Sequence, residues 1–258
     1  MSNLFILRNY AQKVPSTIPS SILFSSSSKS LTIYDSFPKS IFHFLVLPRV
    51  QSGSSIDIDD LESLKTLFAR DKEDAKIILN ALNEDAQGVK REIEQEMQTR
   101  YGFKWPIWIG FHGAPSMHHL HLHVISSDLC SERLKNKKHY NSFHPKLGFF
   151  LHIDDVLSWF DSEPSYYREM VKLDQKAYEK LLKEDLVCWK CEAPMKNIPT
   201  LKAHLQEEWN ETSKREKRRA ERKRKQEEKQ LPETADDSTS EFERAEKKVK
   251  LDTEALST

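Results

Sequence analysis

The chain has 258 residues, enough for one substantial core and a small appendage. With 38% hydrophobic and 31% charged residues it has the composition of a globular protein carrying a polar segment, and no apolar run nears the ~20 residues of a membrane helix. The formal net charge is zero, yet ten Lys or Arg face four Glu in residues 214–230 and four face eight acidic groups in 231–258, so the average hides opposed blocks.

Residues 3–12 are predicted as a short amphipathic helix, and the Pro- and Ser-rich stretch 15–30 as loop. This segment, 1–30, carries Arg8, Lys13 and Lys29 and no acid before Asp35, a composition compatible with a mitochondrial transit peptide. The packed domain is expected from Leu31. LTIYDS and IFHFLVLP have the β-branched and aromatic density of two strands, and Pro48 closes the second. Between Asp57 and Arg100, Leu61, Leu64 and Phe68, then Ile77, Ile78 and Leu82 recur at helical spacing. WPIWIGFHGAPS and HHLHLHVIS supply two more strands, the first interrupted by Gly113 and Pro115. Strand, strand, helix, strand, strand favours an α+β fold, with helices flanking a mostly antiparallel sheet over residues 31–165.

His119, His121 and His123 alternate with Leu120, Leu122 and Val124, so an extended strand sets three imidazoles on one face. Such a row suits three neutral ligands of an open catalytic zinc. It equally suits a nucleophilic imidazole with partners that orient it and move protons. Spacing alone leaves both open. Asp35, between strand and turn, is placed either to shape the turn or to accept two hydroxyls.

From Arg133 to Lys146 five cations and no acid are interleaved with His139, Tyr140, Asn141, Ser142 and Phe143. Cations for phosphates and aromatics for bases are what a nucleic-acid end requires, although a solvated loop has a similar composition. Of three cysteines, Cys130 stands apart, too sparse a set for a secreted disulfide framework, which points to a reducing compartment. Cys188 and Cys191 form C-x2-C, and His204 follows after twelve residues, the spacing of a two-Cys two-His finger whose second histidine is missing. Glu208 lies one helical turn on, and its carboxylate completes a closed, structural zinc set; Glu207 is the less well spaced competitor. The finger is expected over 166–212, backed by Leu201 and Leu205. The tail, 213–258, is too polar to bury a core and is expected to be disordered, or one exposed helix over its basic half. KREKRRAERKRK and KKVK suit nuclear import or attraction to phosphate.

The string HLHLHVI resembles the signature of the histidine-triad superfamily, whose members transfer or hydrolyse nucleotides through a nucleotidyl-histidine. FPK at 37–39, PSM at 115–117, HVIS at 123–126 and RLKNKKHYNSF at 133–143 are similar to its aprataxin branch, and the Cys-Cys-His-Glu set to that branch's fungal members. The resemblance spans about residues 31–209. It implies a DNA-5′-adenylate hydrolase that removes AMP from abortive ligation products in single-strand break repair. His121 would be the nucleophile, with His119 and His123 orienting it and stabilising phosphate charge. His43 would be the additional active-site histidine, and His112 would protonate the departing 5′-phosphate. Ser116 would contact the AMP phosphate, Asp35 the ribose, and Lys39 of FPK the substrate. Lys135, His139 and Ser142 would grip the DNA strand, with Phe5 as a wedge against the terminal base pair. Zinc is then structural, no metal is required at the histidines, and a monomer acts on nicked or adenylated DNA ends in the nucleus. Two further expectations stand beside this one: a general histidine-triad hydrolase of small nucleotides, and a non-catalytic zinc-finger DNA adaptor.

Overall fold

The computed structural model describes residues 4–50, 53 and 55–230. Helix α1 (Ile6–Ala11) precedes three strands, β1 (Leu23–Ser26), β2 (Ser30–Tyr34) and β3 (His43–Pro48). Helices α2 (Leu64–Phe68) and α3 (Lys72–Tyr101) lead to β4 (Ile107–His112) and β5 (Leu122–Ser126). The short α4 (Lys137–Asn141) is followed by β6 (Phe150–His152), α5 (Ile153–Ser158), α6 (Pro164–Met170), α7 (Gln175–Leu181) and α8 (Ile198–Gln230). The six strands form one sheet, ordered β1-β2-β3-β5-β4-β6, antiparallel throughout. This is the α+β architecture expected from the sequence.

Alternation gives the sheet two apolar faces. Phe44, Val46, Ile109, Phe111, Leu122 and Val124 pack with α3 in the main core. The Asp71 carboxylate caps α3 by accepting from the backbone N–H groups of Glu73 and Asp74, and Gly102 ends it in the left-handed region at φ 77°. Its buried stripe is Ala75, Leu79, Leu82, Ala86, Val89, Ile93 and Met97, each large member stabilising by roughly 1.5–3 kcal/mol. Ile77, predicted on that stripe, is 65% exposed, because at helical spacing Leu79 shares the face of Leu82 and Ile77 does not.

The opposite face is covered at both ends. Leu7 and Ala11 of α1 pack on Leu31, Ile33, Leu45 and Leu47. Cys188, Leu201 and Leu205 of the finger pack with Ile125, Tyr140, Phe143 and Phe150. The finger therefore shares a core with the sheet. The histidines lie between these two covers. The stretch 15–30, expected as loop, contains β1, an edge strand that pairs with β2 and whose serines offered no apolar alternation.

The described residues up to Arg215 form one compact unit, and a second begins at Glu216. Residues 213–230, expected to be disordered or one exposed helix, are helical to Gln230. Lys, Arg, Glu and Gln are strong helix formers, and Lys225–Glu221 and Lys223–Glu227 add pairs one turn apart. The expectation for 231–258 lies outside the described residues. No helix among the described residues is long and apolar enough to cross a membrane.

Candidate active site and zinc finger

Strand register brings four histidines together. His123 sits mid-strand in β5, opposite Leu45 of β3 and Gly110 of β4. Two residues along on the same face, β3 contributes His43 and β4 contributes His112. Ring centroids lie 5.2 Å (His43), 4.3 Å (His112) and 5.0 Å (His121) from His123. A Cβ on Gly110 would come within 2.5 Å of the Leu151 carbonyl and 2.6 Å of the Phe150 ring, so glycine there admits the aromatic packing beside the cluster.

The hydrogen bonds fix the tautomers. His121 Nδ1 lies 2.7 Å from the His119 carbonyl, which only accepts, so Nδ1 carries the proton and Nε2 keeps a free lone pair. The Lys39 backbone N–H donates to His43 Nδ1 at 3.2 Å. His43 Nε2–H then donates to His123 Nδ1 at 3.0 Å, leaving the proton of His123 on Nε2. His112 Nε2 and His123 Nε2 are buried without a protein partner. Burial lowers the pKa of His121, His123 and His112, and brings His43 to about 4. All four are neutral near pH 7. Asp35 Oδ2, 3.5 Å from His43 Nδ1, is therefore beside a neutral ring and not in an ion pair.

His119 departs from the expected row. Its φ is 92°, it precedes β5, and its own and Leu120's N–H groups donate to the carbonyls of Glu62 (3.1 Å) and Leu61 (2.7 Å). That pairing holds 119–120 out of the sheet ladder, and His119 Nε2–H turns to the Pro48 carbonyl at 2.9 Å. Three imidazoles do share a site, but they are His112, His121 and His123, with ligand-capable nitrogens within 4.8 Å of one another. His119 reaches the cluster through its carbonyl.

Around the cluster, Asp35 directly follows β2 and accepts from the Phe37 N–H at 2.7 Å. Lys39 is buried, its ammonium bonded to the Phe37 carbonyl and its pKa lowered chiefly by burial. Ser116, exposed, lines a 240 Å³ cavity with His112 and Gly113. Asn136 caps α4 by accepting from the His139 N–H at 3.0 Å. Lys135 is exposed there, and Ser142 Oγ bonds the His139 carbonyl at 3.2 Å. Phe143 packs edge-on to His43, His112 and His123 at 4.7–5.2 Å. Phe5 is 47% exposed and stacks on His118 at 4.4 Å. Sequence reading missed Asp128, which looks like an ordinary turn residue. It is buried and accepts from the Ile41 N–H (2.9 Å), Trp105 Nε1 (3.0 Å), the Cys130 N–H (3.2 Å) and Ser126 Oγ, tying the start of β3 to the end of β5.

In the finger, the metal-capable atoms of Cys188, Cys191 and His204 lie within 4.8 Å of one another, with Cys191 Sγ 3.2 Å from His204 Nε2. Glu208 Oε1 is 3.8 Å from His204 Nε2, while Oε2 pairs with Lys190 at 2.6 Å; Glu207 is exposed. Burial raises the Cys188 thiol, and the backbone hydrogen bonds of Cys191 and Lys190 act in the opposite direction, towards the thiolate. The donors suit tetrahedral zinc.

Two family models match: "C2HE / C2H2 / C2HC zinc-binding finger" over residues 146–211 and "Scavenger mRNA decapping enzyme C-term binding" over 10–139. The Ciona intestinalis aprataxin is 34% identical over 175 residues, covering 68% of this chain but 39% of that protein. An aprataxin-like protein of Saccharomyces cerevisiae is 31% identical over 230 residues, covering 81% of this chain and 97% of the relative. The solved structure "Hnt3 in complex with DNA and guanosine" superposes with a TM-score of 0.57 at 26% identity, covering 81% and 97% of the two chains. A sheet that gathers these histidines, joined to a C2HE finger and matched along nearly the whole yeast relative, makes the chain a member of the aprataxin family.

Proposed function

We propose that the chain hydrolyses DNA-5′-adenylates, removing AMP from abortive ligation intermediates in single-strand break repair. The observation that carries this reading is the locked tautomer of His121, whose Nε2 lone pair faces a cluster of neutral, buried imidazoles. His121 Nε2 attacks the adenylate phosphorus, an N–P bond forms, and the bond to the 5′-phosphate oxygen of the DNA breaks. His123 Nε2–H donates to the phosphoryl oxygens as charge builds. His112 Nε2 is buried without a protein partner, and burial keeps its ring neutral in the free chain. The anionic diphosphate favours imidazolium there, and His112 then protonates the leaving phosphate. Water next cleaves the phosphoramidate, releasing AMP and restoring His121.

No metal is needed in this scheme. With the proton of His123 on Nε2, only two of the three clustered nitrogens offer lone pairs. Asp35 accepts the ribose hydroxyls, Ser116 and Lys39 contact phosphate, and Lys135, His139 and Ser142 hold the strand. Cys188, Cys191, His204 and Glu208 hold structural zinc, and Phe5 lies against the terminal base pair. One chain carries every group required, so a monomer acts. The basic run 214–225 suits nuclear import. The test compares turnover of an adenylated nick with that of a dinucleoside polyphosphate: the nick is expected to be preferred by at least ~100-fold in kcat/KM, and preference for the dinucleotide overturns the assignment.

A further inference from the structure

Tyr140 is fully buried between the basic segment and the zinc knuckle. Its hydroxyl donates to the Val187 carbonyl at 2.8 Å and accepts from the Trp189 N–H at 2.8 Å. These two backbone groups flank Cys188, so one phenol holds the knuckle on both sides of its buried sulfur. The next residue, Asn141, adds a parallel tie: Nδ2 donates to the Glu184 carbonyl at 2.9 Å and the Leu182 carbonyl at 3.3 Å. Tyr140 and Asn141 close α4, whose other side carries His139 and leads to Ser142, and Phe143 then packs on three of the clustered histidines. A connected path runs from the knuckle through Tyr140 to the segment facing the reaction site.

We propose that the Tyr140 hydroxyl is a positioning group that couples the zinc knuckle to residues 135–142, so that zinc occupancy of the finger sets how tightly that segment holds the phosphates of a DNA end. The inference rests on the reading that residues 135–142 hold the strand. Replacing the phenol by phenyl keeps the ring in its core but takes the side-chain partner from two part-buried backbone groups, which loosens α4 and the knuckle together. Coupling of affinities is reciprocal, so a bound DNA end tightens zinc binding, read here as slower release to a chelator at unchanged zinc association.

The experiment uses the full zinc-loaded chain and Tyr140→Phe. Zinc release to a chromogenic chelator is timed with and without a 5′-phosphorylated duplex, and duplex affinity is measured alongside. Hydrolysis of an adenylated nick is compared with that of a small adenosine phosphoramidate. The variant is expected to hold one zinc, to release it about fivefold to tenfold faster, and to weaken on duplex and nick by a similar factor. Its kcat/KM on the phosphoramidate stays within about twofold of the parent, a split that general loss of folding does not give. Unchanged zinc release, unchanged duplex affinity, or equal losses on both substrates each overturn the proposal. Should Tyr140→Phe fail to fold, Asn141→Ala, which cuts the parallel tie, is read against the same outcomes. If the parent does not cleave the nick, the functional reading fails, while zinc release and duplex affinity still decide the coupling.

Discussion

His121 and His119 give the site different things. His121 offers a lone pair, whereas His119 offers its carbonyl, with its ring bonded away to Pro48. His121→Ala should therefore abolish turnover by at least ~1000-fold, as loss of a nucleophile does. His119→Ala leaves the orienting carbonyl in place and leaves the Pro48 carbonyl unpaired, so it should cost about 1–3 kcal/mol of stability and far less rate than His121→Ala. Steady-state rates on an adenylated nick check the ranking, and equal losses would contradict it. The acid limb of kcat/KM follows from the same residues: burial lowers His121, so activity should persist below the ordinary histidine value of ~6.5 and fall only at more acid pH. Stability follows the same sign. The buried histidines are neutral when folded and take up protons on unfolding, so their contribution is complete above ~6.5 and is lost as pH falls towards about 4, where His43 and His119 titrate. Urea midpoints at pH 7.5, 6 and 5 should decline in that order.

Strands β3, β4 and β5 are legible in their composition, and His121 and His123 in the alternation of β5, whereas His43 and His112 come to the site only through the family resemblance, because the pairing that sets them beside His123 is not written in local sequence. The place of His119 is not legible: its φ of 92° answers to the carbonyls of Leu61 and Glu62, far off in sequence. Asp128 escapes for a similar reason, since its four donors come from three separate segments. Gly110 passes unremarked inside the strand pattern, yet it is the point where Phe150 and the β6 backbone close on β4. Gly110→Ala should destabilise by about 2–3 kcal/mol or more, because backbone cannot yield as a side chain tip does. Asp128→Ala, which leaves several buried donors unpaired, should cost a similar amount. Thermal midpoints check both, and a shift under ~2 °C in either would contradict the packing described.

At the scale of the whole molecule, the finger is part of the core that frames the histidines. Its spacing announces the ligands, but nothing in C-x2-C shows that Cys188 and Leu205 pack with Ile125 and Phe150 of the sheet. That contact pairs residues separated by the helices between, which periodicity cannot report. Removing zinc with a chelator should therefore lower the melting temperature of the whole compact unit in one transition, with loss of activity. A separate finger transition that leaves turnover intact would contradict this. The most direct test of the central claim is to quench turnover of a substrate carrying labelled AMP and map the label by mass spectrometry. The account predicts an acid-labile AMP phosphoramidate on the peptide containing His121, absent from His121→Ala. Turnover without any protein adduct, or an adduct that persists in His121→Ala, would contradict it.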